Sequence, residues 1–280
     1  MTDLTTEFLD FLAIFVIALV PAVIYLVWIR GVERYRTIAW GPIATSFLYG
    51  AVIATIVAAT IEGVLVAAGT SLSRAVPGPE FTFLNGNSTA GEFFLILVIA
   101  PFVEEGLKAL GVVGQKKRIR LVADGPVFGA SVGLGFGFFE DALYAIVAFA
   151  VGGLPAAIGI ILVRSVSSVL LHASSTAMFG YGYALSHVRG VAGASGRYYL
   201  VAVGMHAAYN AIVSLGVILL VFGVPNTVGD LASVVGLVAA VGFVTYAFQH
   251  IARLIRENDF PSLGGAPRYQ PASIRTRRKT

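Results

Sequence analysis

The sequence contains no cysteine among its 280 residues. A disulfide framework, a thiolate metal site and a cysteine nucleophile are therefore excluded, and any chemistry depends on His, Asp, Glu and hydroxyl groups. Charged residues are also scarce, at 12% against 57% hydrophobic residues, and the mean hydropathy is +0.85. Because a soluble core of this size needs more polar cover, the composition indicates a polytopic membrane protein.

The formal net charge of +4 is not accompanied by a nucleic-acid-binding signature. The basic residues stand in short clusters between apolar runs, which is the pattern of membrane topology. We therefore expect no nucleic-acid partner. The sequence specifies no oligomeric state.

Seven apolar segments are long enough for a helix to cross a bilayer, which takes about 20 residues. We predict an all-α, polytopic transmembrane helical bundle of about seven spans, with a transmembrane domain over 1–256 and a basic, disordered cytoplasmic tail over 257–280. The first span is expected to be a retained anchor, and the Pro/Gly-rich stretch 70–91 an irregular outer loop. The spans lie at about 7–29, 43–69, 92–114, 125–151, 154–186, 197–223 and 230–252.

The distribution of lysine and arginine predicts the orientation in the cell membrane. Of the 19 basic residues, 16 lie in alternate loops on one side of the predicted spans, and Arg74 lies in a loop on the other side. The remaining two, Lys108 and Arg164, fall within spans. Since basic loops stay in the cytoplasm, we expect the N-terminus outside and the C-terminus in the cytoplasm.

Six charged residues interrupt spans three to five, and each would cost about 2.5–3.5 kcal/mol if it faced lipid unpaired. They are therefore expected to face the interior of the bundle. One interpretation is purely structural, since Glu104 and Lys108 have the i,i+4 spacing of a helical ion pair. The six residues are Glu104, Glu105, Lys108, Glu140, Asp141 and Arg164.

Two glutamates and two histidines occupy a common depth on four successive spans. Each lies within about four residues of the middle of its span, which is about 6 Å along a helix. Asn210 follows the second histidine by one turn on the same face. His187 and His250 fall near cytoplasmic span ends and are expected at the membrane interface. The four residues at common depth are Glu104, Glu140, His172 and His206.

Small residues and a proline shape the helices that carry these side chains. Gly129, Gly133 and Gly137 repeat every four residues, so we predict a flat helix face against which a neighbouring backbone packs closely. Glu140 continues nearly the same stripe. Pro101 removes a helical hydrogen bond and predicts a kink beside the paired carboxylates of span three.

Read in order, the stretches EEGLK, FGFFEDALY, LLHASS and HAAYN resemble the motif series of the PrsW family of intramembrane proteases. That family is related to the type II CAAX prenyl endopeptidases and to the APH subunit of gamma-secretase. The similarity covers spans three to six, roughly 92–223, which we take as the catalytic core. Asp141 departs from the pattern, where Asn is expected after the glutamate. The matching residues are Glu104, Glu105, Lys108, Phe136, Glu140, His172, His206 and Asn210.

The resemblance implies an intramembrane peptidase that acts on membrane proteins, with anti-sigma-factor-type regulators as one substrate class. In this interpretation Glu104 is the base that activates water, Glu105 and Lys108 set its orientation, and Asn210 donates to the substrate or the oxyanion. Zinc is the expected cofactor, because three N/O ligands with an open position suit catalytic zinc. The expected ligands are Glu140, His172 and His206.

Three alternatives stay open from the sequence. A glutamate mechanism without metal needs the same residues, with the second histidine and the asparagine as oxyanion donors. A proton- or ion-coupled carrier also places Glu, Asp and His inside the membrane. A non-catalytic scaffold of the same fold would lose nothing when Glu104 becomes Gln.

Overall fold

The structure is a computed structural model that describes residues 4–33, 35, 37–76 and 78–260, and its regular elements are helices. Two π-helical segments, Tyr49–Ala54 and Leu95–Ile99, join α2 to α3 and α4 to α5, and a 3-10 helix covers Pro79–Leu84. Residues 261–280 of the predicted tail lie outside the described residues. The α-helices are α1 (Leu4–Arg30), α2 (Trp40–Leu48), α3 (Thr55–Ala75), α4 (Thr89–Phe94), α5 (Ala100–Gly114), α6 (Asp124–Ser165), α7 (Ser168–Arg189), α8 (Ala194–Val213), α9 (Leu215–Val221) and α10 (Asn226–Asn258).

Within the described chain, four helical stretches are long and apolar enough to cross a membrane. A fifth is counted if α8 and α9, which are bent by 62° at Ser214, form one span. The continuous helix 89–114 has similar length, but it carries four charged residues and is therefore less apolar than these stretches. The four stretches are Thr5–Arg30, Trp40–Ala75, Asp124–Arg189 and Asn226–Asn258.

The stretch Asp124–Arg189 folds back on itself as a long antiparallel hairpin. Its apex is Gly152 and Gly153, and Gly153 has φ of 66°, a left-handed conformation that favours glycine. Beyond the apex the chain returns along α6, so that Arg164 contacts Asp141. The two arms correspond to the predicted spans 125–151 and 154–186. The second arm is interrupted at Val166 and Ser167, between α6 and α7, and extends to Arg189.

The predicted glycine stripe brings the two arms of the hairpin into backbone contact. A Cβ atom at Gly129 would lie 2.3 Å from the Thr176 carbonyl oxygen, and one at Gly133 would lie 2.0 Å from the His172 carbonyl oxygen. Both distances are shorter than real side chains tolerate, so only glycine permits this packing. The prediction of close helix approach is confirmed, and the partner is the helix that carries His172.

Helix α6 is the centre of the bundle. Every residue from Asp124 to Gly137 is buried, because the π-helical turn and the other arm of the hairpin cover it. Gly50 of the π-helical turn approaches the Val132 carbonyl, and Gly135 approaches the Phe47 carbonyl, both too closely for a Cβ atom. The carboxylates at the end of this buried segment are therefore fixed from several sides.

The helix that carries the paired glutamates begins at a capped turn. Ser88 accepts a hydrogen bond from the Gly91 N–H at 3.0 Å, which is a typical N-cap contact. A π-helical turn, Leu95–Ile99, lies directly before Pro101, and such turns are one cause of the kink that the proline predicts. The expectation of an irregular loop over 70–91 is only partly met, because α3 runs to Ala75 and a 3-10 helix follows.

The close contact at Gly133 predicts a strong effect on stability. Gly133→Ala should lower the free energy of unfolding by about 1–3 kcal/mol, because its methyl group must separate the two arms. The matched control is Gly159→Ala in the same hairpin, where no described atom lies within 4 Å of the added Cβ. Thermal unfolding in detergent micelles measures both. Equal midpoints for the two variants would contradict the packing described here.

Candidate active site

The structure brings the predicted site residues of four helices together. Glu104, Glu105 and Lys108 of α5 meet His172 of α7 and His206 of α8, and all five are at least 94% buried. Glu140 of α6 joins them through His172. The expectation that these charges face the bundle interior is confirmed.

One histidine is held by a carboxylate that is itself paired with lysine. The Lys108 ammonium donates to Glu105 Oε1 at 2.7 Å, and the same oxygen lies 3.1 Å from His206 Nδ1. The Ser175 hydroxyl also donates to this oxygen at 2.9 Å, and the Thr176 hydroxyl donates to Glu105 Oε2 at 3.4 Å. Glu105 is therefore saturated with donors, which suits an orienting role.

The other histidine is held in the same way by a carboxylate paired with arginine. Glu140 Oε2 lies 2.8 Å from His172 Nε2 and accepts from Arg164 Nη2 at 2.7 Å. Arg164 Nε donates to Asp141 Oδ1 at 2.7 Å. The site thus contains two cation–carboxylate–histidine chains, Lys108–Glu105–His206 and Arg164–Glu140–His172.

These contacts assign the histidine tautomers. An ionised carboxylate only accepts, so Glu140 places the ring proton of His172 on Nε2. The Lys108 ammonium only donates and lies 2.9 Å from His172 Nδ1, which independently leaves the lone pair on Nδ1. By the same reasoning, the contact with Glu105 places the ring proton of His206 on Nδ1.

Glu104 is a carboxylate of the site that belongs to neither of these two chains. Its Oε2 is buried and has no hydrogen-bond partner among the described residues. It lies 3.5 Å from Lys108 Nζ and 3.9 Å from Nδ1 of both His172 and His206. An unsatisfied carboxylate oxygen in a buried site is costly, so this atom requires a proton, a water molecule or a cation.

The donor set around Glu104 fits a metal ion. Glu104, His172 and His206 each offer a ligand atom, and these atoms lie within 4.8 Å of one another. Ligands at 2.0–2.2 Å in a tetrahedral zinc site are about 3.4 Å apart, so a small contraction is sufficient. Coordination through His172 Nδ1 requires the Lys108 ammonium to give up its 2.9 Å contact with that atom.

The geometry distributes the two glutamates differently from the sequence-based assignment. Glu140, expected as a metal ligand, is bound by Arg164 and by the ring N–H of His172. Glu104, expected as the base alone, belongs to the group that can hold a metal. The sequence placed all these residues at one depth but contained no information on which ring nitrogen each carboxylate contacts.

Asn210 lies one turn after His206 on α8, and the described structure shows no hydrogen bond from it to either histidine of the site. Its Nδ2 donates to the Ile96 carbonyl at 2.7 Å. In the π-helical register, that carbonyl would accept from residue 101, but Pro101 has no N–H. Asn210 therefore satisfies an acceptor that the proline leaves open, and one amide hydrogen remains for another partner.

Sequence reasoning missed one carboxylate near the site, and it assigned no role to an aromatic ring that lies within it. Glu62 of α3 has a buried Oε1 without a hydrogen-bond partner in the described chain, and its charge interacts with those of Lys108 and Glu140. The sequence feature that could have indicated Glu62 is its position as a lone carboxylate within the predicted span 43–69. Phe136, matched only as part of a motif, lies under the Lys108 ammonium with 4.4 Å from Nζ to the ring centroid.

Comparison with known proteins identifies the chain's family. No curated protein and no solved structure matches it. A family model described as PrsW family intramembrane metalloprotease matches residues 39–247, which is well over half of the chain and includes every site residue named above. With its membrane-length helices and its buried Glu/His/His group, the chain belongs to the PrsW family of intramembrane metalloproteases.

Proposed function

We propose that this enzyme hydrolyses peptide bonds of membrane proteins inside the bilayer, at the centre formed by Glu104, His172 and His206. The observation that carries the proposal is the buried Glu104 oxygen, which accepts no hydrogen bond from the described residues and lies beside two histidines whose tautomers are fixed by carboxylates. Peptide hydrolysis needs an activated water, a proton acceptor and a polarised carbonyl, and this group can supply all three.

The charge of the site supports a divalent cation. When all four are ionised, the carboxylates that contact Lys108 and Arg164 in the described structure carry two more negative charges than these two cations compensate, and a divalent cation would balance that excess in a region of low dielectric. We propose zinc, because histidine nitrogen and carboxylate oxygen are its preferred ligands in catalytic sites. The metal would supply Lewis-acid polarisation of the scissile carbonyl. The carboxylates are Glu104, Glu105, Glu140 and Asp141.

The residues of the chain then have distinct tasks. Glu104, His172 and His206 would hold the metal, and Glu104 would also accept a proton from the attacking water. Glu105 and Glu140 orient the histidines, as carboxylates that accept from the ring N–H of a ligand histidine commonly do in metal sites. Asn210 donates its remaining amide hydrogen to the substrate or to the oxyanion. The alternative keeps the sequence-based ligands, Glu140 with both histidines, and leaves Glu104 as the base only.

The proposed topology rests on the helices and on the distribution of lysine and arginine, and the proposed substrate class rests on the depth of the site. We propose seven spans with the N-terminus outside and the C-terminus in the cytoplasm, counting both arms of the hairpin and helix 89–114. The substrate is a single-span membrane protein, of which an anti-sigma-factor-type regulator is one class, and its helix must unwind locally because a helical peptide bond is shielded. Labelling of Lys117 from outside intact cells would overturn this orientation.

Glu104→Gln tests the assigned activity. The variant should cleave a single-span peptide in liposomes about 10²–10⁴-fold more slowly, because the proton acceptor is lost. Glu92→Gln is the matched control, since Glu92 is an exposed carboxylate on the same continuous helix. Activity of the Glu104 variant at the wild-type rate would point to a non-catalytic scaffold or to chemistry elsewhere.

Metal content separates the two ligand assignments. We expect about one zinc per chain in the wild type, none in His172→Ala or Glu104→Gln, and an affinity about 10–100-fold weaker in Glu140→Gln. Elemental analysis and competition with a chromophoric chelator measure these values.

Two other outcomes are informative. If Glu140→Gln is empty while Glu104→Gln retains one zinc and is inactive, Glu140 is the ligand and Glu104 the base. If chelator-treated, metal-free protein cleaves at full rate while Glu104→Gln is inactive, the metal proposal fails and the glutamate mechanism stands.

A further inference from the structure

Arg164 lies outside the motif series and yet contacts three polar side chains of the hairpin. Its Nη2 donates to Glu140 Oε2 at 2.7 Å and to the Ser168 hydroxyl at 2.9 Å, and its Nε donates to Asp141 Oδ1 at 2.7 Å. The guanidinium carbon also lies 3.9 Å from the centroid of the Tyr144 ring. These contacts fix both the position and the plane of the guanidinium group.

The Glu140 oxygen that Arg164 binds is also the one that meets His172. Glu140 Oε2 accepts from Arg164 Nη2 and from His172 Nε2, at 2.7 Å and 2.8 Å. Lys108, the other buried cation of the site, bonds to Glu105. The orientation of the Glu140 carboxylate therefore depends on Arg164, and the contact that places the ring proton of His172 on Nε2 depends on that orientation.

The two arms of the hairpin must be in register for this contact to form. Glu140 lies on the arm before the Gly152–Gly153 apex, and Arg164 lies on the arm after it. A lysine at 164 would retain the charge, but its single ammonium cannot match the planar fork that reaches both carboxylates.

We propose that Arg164 is a positioning residue of the active site. It holds the Glu140 carboxylate in the orientation in which Oε2 accepts from His172 Nε2, so that His172 keeps its ring proton on Nε2 and presents the Nδ1 lone pair toward Lys108 and Glu104. The activity part of the test rests on the proposed peptidase function, whereas the tautomer of His172 does not.

Substitutions that conserve the charge of the cluster test this role. Arg164→Lys keeps the positive charge without the fork. The double variant Asp141→Asn/Arg164→Gln removes one charge of each sign, so the net charge of the hairpin is unchanged. Asp141→Asn alone is the matched control, because it leaves Arg164 on Glu140.

The tautomer is read by NMR of protein labelled with ¹⁵N-histidine. The chain has four histidines, so a His187→Gln/His250→Gln background leaves only His172 and His206. We expect wild-type His172 to show one protonated Nε2 and one unprotonated Nδ1, and the double variant to show averaged shifts from mixed tautomers. His206 should be unaffected, since Glu105 and Lys108 orient it.

Activity provides the second readout. Arg164→Lys should lower kcat by about 10–100-fold with KM within about 3-fold, and the double variant should lose at least as much. Asp141→Asn should lose less kcat than the double variant.

The proposal is overturned if the folded double variant keeps the wild-type His172 spectrum or the wild-type kcat. If the double variant does not fold, the same criterion applies to Arg164→Lys. A wild type that cleaves no peptide but shows the expected tautomer change would count against the peptidase function and not against the positioning role.

Discussion

A charge inside a bilayer has no water to stabilise it, so each buried charge in this protein depends on a partner from the protein itself. Lys108 and Arg164 each neutralise a carboxylate, and each of those carboxylates orients one histidine. Glu104 differs from them, because its buried Oε2 accepts no hydrogen bond from the described residues and lies 3.5 Å from the ammonium of Lys108. Reactivity is therefore expected where the pairing of charges is incomplete.

The close packing of the hairpin makes this pairing possible. At Gly133, the backbones of the two arms approach so closely that the His172 carbonyl occupies the place of a side chain. The reversal at Gly153 then sets the register that brings Arg164 to Glu140. Glycines that have no part in the chemistry thus determine where the polar groups meet, as is common where membrane helices pack.

Much of this arrangement was predictable because membranes impose simple rules on sequence. Apolar length located the helices, and the depth of Glu104 and His172 within their spans predicted that they converge. The ring nitrogen that each carboxylate contacts could not be predicted, because it depends on side-chain orientation that spacing does not encode. For the same reason the sequence could not separate the role of Glu140 from that of Glu104. Glu62 was missed although its charge in an apolar run was visible.

We propose that the buried group around Glu104 cleaves a peptide bond within the membrane. Mass spectrometry of the fragments formed from a single-span peptide in liposomes, in water enriched in ¹⁸O, tests this proposal. We expect a scissile bond inside the hydrophobic stretch of the peptide, near mid-depth, with one ¹⁸O atom in the new carboxyl terminus. Cleavage confined to segments outside the bilayer, or intact peptide after incubation with folded wild-type protein, would contradict it.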